Sequence, residues 1–211
     1  IGTLLDYRRN NPIVASICRL RETDVVGNGI VPQAQTGNED LNNELEKKWK
    51  EFSRNPEVTF SMNMRDLQRS LASMPLIFGD GGLLLTKEGR VQLIEGDRIG
   101  SDEGQGFFRD KNKKEKSAKK RIIDGIELSF ENRATAFHIG RREDGFLRDI
   151  RRVASKNFLF HRKRIRPTQL RGIPELAPVA DDLQDLDEFD EIEMTSAKVS
   201  ASLSAVIKRE G

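Results

Sequence analysis

The sequence predicts an α+β protein: N-terminal helices packed on a small mixed or antiparallel β-sheet, followed by a long C-terminal helix. Three patterns carry this expectation. Apolar residues recur at three- and four-residue spacing up to Pro75, the period shortens to that of strands between Leu83 and His161, and a helical stripe resumes at Leu176. Of the 211 residues, 36% are hydrophobic, enough to bury one good-sized core or two small ones. The longest apolar runs, residues 75–78 and 83–85, fall far short of the roughly 18 that a membrane-spanning helix needs. Neither a span nor a signal peptide is read, and no membrane partner is expected.

The elements follow in order. Asn10-Asn11-Pro12 is a helix start with proline early in the first turn, and Ile13, Ile17 and Leu20 continue it. That helix should stop before Gly27-Asn28-Gly29, whose glycines permit positive φ, and residues 29–32 then read as extended. Thr36 and Glu39 have the spacing of a capping box. Leu41, Leu45, Trp49 and Phe52 behind it fall on one helical face, which makes Trp49 a core residue. A further helix carries Leu67, Leu71 and Met74 and should end at Pro75.

After Gly79-Asp80-Gly81-Gly82, residues 83–86 and 91–94 make a hairpin about the turn at residues 87–90. Residues 122–130 and 134–139 make a second, turning at Glu131-Asn132-Arg133, and residues 157–161 form a third β segment. Residues 100–121 between the hairpins are too charged to bury and read as a flexible loop. The final helix should begin near Pro178 and run about 30 residues, with Leu183, Leu186, Phe189 and Ile192 on its apolar stripe. The chain thus divides at residues 1–166 and 167–211.

Lysine and arginine (36) nearly cancel aspartate and glutamate (34), so net charge names no partner, but the charges are segregated. Residues 109–121 hold eight basic and two acidic residues, whereas residues 175–193 hold nine acidic and no basic one. Such blocks suit contact with a polyelectrolyte or with a charged subunit face. The basic candidates are Lys111, Lys113, Lys114, Lys116, Lys119, Lys120 and Arg121, and the later run Arg162, Lys163 and Arg164. Without interleaved aromatics they suit phosphate backbone rather than base edges. A loop kept soluble by its charge, or facing an acidic subunit, explains the first cluster equally well.

Little in the chain looks catalytic. Cys18 stands alone, without metal-ligand spacing, and reads as a packed, neutral thiol. His138 and His161 sit in separate β segments and read as structural. The glycines of residues 79–82 precede a strand and have the wrong order for a phosphate loop. Asp124 and Glu127 resemble a nuclease carboxylate pair, but position 129 is serine where such sites place a lysine. The acidic stretch lacks the spacing and central glycine of a calcium loop. No catalytic residue, cofactor or metal ligand is therefore assigned.

The order of motifs resembles the opening of lambda-like phage portal proteins. It runs from Asp6-Tyr-Arg-Arg-Asn-Asn-Pro12, containing Asn11 and Pro12, through Val25-Val-Gly27-Asn-Gly29-Ile30 with Gln33, to the helix bearing Trp49. It continues through residues 64–68, the run Gln92-Leu-Ile-Glu-Gly-Asp97-Arg98-Ile99, residues 123–127 and residues 136–139. The most specific match is Gln169-Leu-Arg171-Gly172-Ile-Pro174-Glu-Leu-Ala-Pro178-Val179, followed by Leu183, the stretch with Asp187 and Glu188, Glu193 and Ala197-Lys198. Gly79-Asp80 stands where the family usually has glycine-glutamate.

The resemblance implies a wing-like α+β domain over residues 1–166. In residues 167–211 a turn leads into an acidic helix directed at the stem of the ring. It also implies a structural role in the virion: a subunit of a ring, dodecameric in this family, at one capsid vertex. The ring conducts DNA during packaging and ejection and contacts terminase, head-tail adaptors and capsid or scaffold protein. The chain is expected to be the N-terminal and central part of a longer subunit whose tunnel residues lie beyond Gly211. In the turn, Gly172 is expected to adopt a backbone conformation closed to other residues, with Pro174 and Pro178 fixing the approach to the helix. The acidic helix, through residues such as Asp187 and Glu188, is expected to meet a neighbour's basic surface around residues 162–166. The rivals are a basic nucleic-acid-binding domain centred on residues 111–121 and a metal-dependent nuclease using Asp124 and Glu127.

Overall fold

The structure, a computed structural model, describes residues 2–100 and 121–203. It is α+β, as the periodicities indicate. Among the described residues, four helices, α1 (Gly2–Asn10), α2 (Pro12–Val26), α3 (Glu39–Arg54) and α4 (Met64–Ile77), precede seven strands. These are β1 (Asp80–Leu85), β2 (Val91–Glu95), β3 (Arg121–Ile123), β4 (Ile126–Leu128), β5 (Ala134–Glu143), β6 (Phe146–Ala154) and β7 (Phe158–Arg162). Helix α5 (Ala180–Leu203) follows a 3-10 turn at Ala177–Val179. By compactness the chain divides into Ile1–Glu175 and Leu176–Gly211, so residues 171–174 belong with the first unit.

In the first unit the strands form two antiparallel sheets, ordered β2-β1-β7 and β3-β4-β5-β6. Their shared core joins Ile94 and Phe158 of the smaller sheet to Ile126, Leu128, Phe137 and Ile139 of the larger. Phe137 sits 4.8 Å from Phe158 and 4.9 Å from Phe160, tilted as aromatic quadrupoles prefer. The helical layer buries Leu4, Val14, Cys18, Val26, Leu67, Met74 and Ile77.

Several local expectations hold. The Asn11 side chain accepts the Ile13 and Val14 amides at the start of α2, with Pro12 in its first turn, and α2 stops at Val26 with Gly27 as its cap at φ +54. The extended residues after Gly29 are held by a side chain: Gln68 accepts the Ile30 N–H at 2.8 Å and donates to its carbonyl at 2.8 Å. The β1–β2 hairpin and β7 lie where expected.

Other expectations are corrected. Pro75 does not end α4, which reaches Ile77 with Phe78 as its cap. An internal proline costs about 3 kcal/mol, whereas burying Met74, Leu76 and Ile77 returns about 1.5–3 kcal/mol each, so packing wins. The cap of α3 is Asn38, not Thr36. Asn38 accepts the Leu41 amide at 3.2 Å, while the Thr36 hydroxyl bonds the Asn42 side chain at 2.7 Å. Helix α3 buries none of its residues: Leu41 and Leu45 are exposed and Trp49 is half-buried, 5.9 Å from Phe52, so Trp49 is not core. The expected strand at residues 122–130 is broken by a tight turn at Asp124-Gly125, with φ of +48 and +78. β5 extends to Glu143 and pairs with β6, a strand the charged sequence conceals.

Candidate functional site

The most specific sequence motif lands on the most densely bonded point of the first unit. Asp80 opens β1 and is fully buried. Arg171 meets it as a fork, Nε to Oδ2 at 2.7 Å and Nη2 to Oδ1 at 2.9 Å, the bidentate geometry that guanidinium planarity favours. The same guanidinium donates to the carbonyls of Gly96 (2.5 Å), Ile99 (2.6 Å) and Asp124 (3.0 Å). One side chain thereby joins β1, the segment after β2 and the β3–β4 turn. The Gly172 N–H adds a third bond to Asp80 Oδ2, at 2.6 Å. Burying two charges is costly unless their remaining hydrogen-bonding capacity is used, and here it is.

Gly172 is needed for a reason other than the expected one, since it is not among the glycines at positive φ. A Cβ there would lie 1.8 Å from the Gly79 carbonyl oxygen, so the requirement is close backbone approach rather than conformation. Just beyond, the Glu175 N–H donates to the Pro75 carbonyl at 3.0 Å, and its carboxylate lies near Arg21 (3.6 Å) and Lys163 (3.4 Å). The chain is thus fixed on the first unit up to the residue before the second begins.

The other sequence-selected residues are dispersed. Gly29, at φ +106, passes close to Arg65. Asp97 and Arg98 form a 3-10 turn from which Arg98 Nε donates to the Gly140 carbonyl at 3.0 Å, while Asp97 lies 3.7 Å from Arg142. Trp49 lines an open groove with Val31, Pro32, Glu46 and Lys50. Pro178 sits in the 3-10 turn before α5, and Asp187 and Glu188 are exposed on α5. Lys111, Lys113, Lys114, Lys116, Lys119 and Lys120 lie outside the described residues, while Arg121 opens β3. Arg162 is half-buried with its guanidinium 5.1 Å from the Phe160 ring, and burial together with nearby Arg164 pushes its pKa down. Lys163 faces Glu175, and Arg164 is exposed.

The residues weighed for chemistry are separated. Asp124 is an exposed turn residue, whereas Glu127 is buried and bonded by Arg152 at 2.6 and 3.1 Å and by the Thr135 hydroxyl. His138 lies near Glu127 and Arg152, its Nε2 is buried, and burial holds its pKa below 6.5. His161 is an exposed residue of β7, and partial desolvation, then Arg21, lower its pKa too. Cys18 is buried on α2, which pushes its thiol pKa up. Among the described residues no group of three or more His, Cys, Asp or Glu is placed to hold a metal ion. None of the described helices is long and apolar enough to cross a membrane.

Two charged surfaces remain. Helix α5 carries carboxylates from Asp181 to Glu193 without an intervening base, beside exposed Phe189 (58%), Ile192 (66%) and Met194 (58%). The β5–β6 hairpin presents exposed Arg141, Arg148 and Arg151, a surface hidden in sequence because charge masks the strand period of β6.

The chain resembles a solved structure from the neck of an empty GTA particle computed with C6 symmetry, at 14% identity and a TM-score of 0.50. That likeness covers 99% of this chain but 47% of the other, so this chain spans about half its neighbour's length. No curated protein sequence matches the chain. A family model described as phage portal protein, lambda family, matches residues 4–211. With the arginine-glycine-proline turn serving as the structural junction of the first unit, and the family model covering all but the first three residues, this chain belongs to the lambda family of phage portal proteins.

Proposed function

We propose that this chain is a non-enzymatic subunit of a portal ring at one capsid vertex, through which DNA enters and leaves the viral head. Family membership supports a portal or connector role. The observation that carries the ring is α5, a 24-residue helix whose Leu186, Phe189, Ile192 and Val199 fall along one side and are all exposed in the single chain. Water is a poor solvent for such a row, and a helix of this length holds its conformation chiefly through tertiary packing. Identical neighbours arranged about an axis cover every copy of that row at once, which is the property of closed symmetric assemblies. The C6 symmetry of the similar neck structure is compatible with an even-numbered ring, including the dodecamer that the family resemblance implies.

Within this reading, the basic cluster from Lys111 to Arg121 contacts DNA phosphates or an acidic partner, and the outer surfaces of the ring receive terminase, head-tail adaptors and capsid or scaffold protein. DNA contact through backbone charge is independent of sequence, as a conduit requires. The reading is tested by electron microscopy of the purified full chain. Closed rings with a central channel are expected, and a protein that remains monomeric under packaging-buffer conditions refutes it.

A further inference from the structure

Arg141 and Arg148 are direct cross-strand partners near the turn end of the β5–β6 hairpin. Like charges in that position repel, and a sheet gains nothing intrinsic from holding them there. Both are exposed, and among the described residues neither their side chains nor that of Arg151 make an ion pair or hydrogen bond. The neighbouring arginines differ: Arg142 faces Asp97 and Arg152 grips Glu127. Beside the pair, Phe146 at the start of β6 is 53% exposed. β6 is also an edge strand, and a bulge opposite Gly140, with Asp149 at φ +51, twists it out of regular pairing. The arm therefore offers guanidinium groups next to an apolar side chain on a surface that discourages strand addition.

We propose that this arginine arm is a docking surface for the acidic helix α5 of a neighbouring copy of the chain. The inference rests on the ring reading and names a surface within it. Glu188 and Glu191 lie three residues apart on α5, beside Phe189 and Ile192, so the helix presents carboxylate and apolar groups together, as the arm presents guanidinium and apolar groups. Lengths also agree: nine residues of β6 span about 30 Å and α5 about 36 Å. A DNA backbone would satisfy the arginines but offers nothing to Phe146, and leaves the apolar row of α5 in water. The run at residues 162–166 competes less well, because Arg162 lies on Phe160 and Lys163 faces Glu175.

The test uses two charge-reversed forms of the full chain, R141E/R148E and E188R/E191R, each checked by circular dichroism for an unchanged fold. Neither alone should form more than a tenth of the rings that the unaltered chain forms, whereas an equimolar mixture should restore them. In an even-numbered ring, strict alternation makes every arm–helix contact complementary again. If R141E/R148E assembles at the unaltered yield, the inference is overturned, and an accompanying loss of DNA retention would assign the arm to nucleic acid. A mixture that stays unassembled also overturns it, and assembly of one chain carrying all four changes would then place the contact within a subunit. Failure of the unaltered chain to form rings refutes the portal reading itself, a result distinct from these.

Discussion

Arg171 and Asp80, 91 positions apart in sequence, form a two-pronged ion pair with bonds of 2.7 and 2.9 Å, and Asp80 has no solvent exposure. Replacing Arg171 with alanine strands a buried carboxylate and three carbonyls, a loss of about 3–5 kcal/mol in unfolding free energy. Arg171→Lys keeps the charge but cannot reproduce the fork, so it should recover less than half of that. Urea denaturation measures both. A loss below about 1 kcal/mol for the alanine variant contradicts the assignment of this pair as the junction.

Gly172→Ala places a methyl group 1.8 Å from the Gly79 carbonyl oxygen, and Gly79 cannot retreat without moving β1. We expect a cost of about 3 kcal/mol or more. Gly145→Ala is the matched control: it sits at φ +83 with nothing within 4 Å, so it bears only backbone strain of about 1 kcal/mol. Comparable thermal shifts for the two variants would show that conformation, not contact, explains Gly172.

The half-exposed stripe of α3 predicts an asymmetry among leucines. Leu67, at 1% exposure, should cost about 2–5 kcal/mol on change to alanine. Leu45, at 43%, should tolerate serine within about 0.5 kcal/mol in the isolated chain. A large loss for Leu45→Ser, measured by chemical denaturation, would mean that α3 packs as core.

Desolvation lowers the pKa of His138, and desolvation together with Arg21 that of His161, below 6.5. Below that value the unfolded chain binds more protons than the folded one, so stability is fully present above about pH 6.5 and declines as pH falls through it, until the folded imidazoles also protonate. Denaturation midpoints at about pH 7.5 and about pH 5.5 read the slope. His138→Gln should flatten it, and an unchanged slope would remove His138 as a contributor.

Fold class, the first hairpin, β7 and the start and stop of α2 were legible because local chemistry decides them. Asn11 caps, Pro12 fits a first turn and Gly27 takes a positive φ, all without help from distant residues. Where tertiary packing decides, sequence misleads. The burial around Pro75 carries α4 past a proline, and the amphipathic stripe through Trp49 meets no core. β6 is concealed because an exposed edge strand with four charged residues in nine shows no apolar alternation. The turn at residues 171–174 was recognisable as a motif, but its meaning was not, since the partner of Arg171 lies in β1 and the clash that excludes a side chain at Gly172 comes from Gly79.

The central claim, that α5 is covered by identical neighbours, is tested most directly by amide hydrogen exchange of the full chain as separated subunits and as assembled rings. Amides across Phe189, Ile192 and the flanking carboxylates should exchange at least about ten-fold more slowly in the ring, while those around Leu67 and Phe137 stay the same. Rings in which α5 exchanges as fast as in the free subunit would contradict the account.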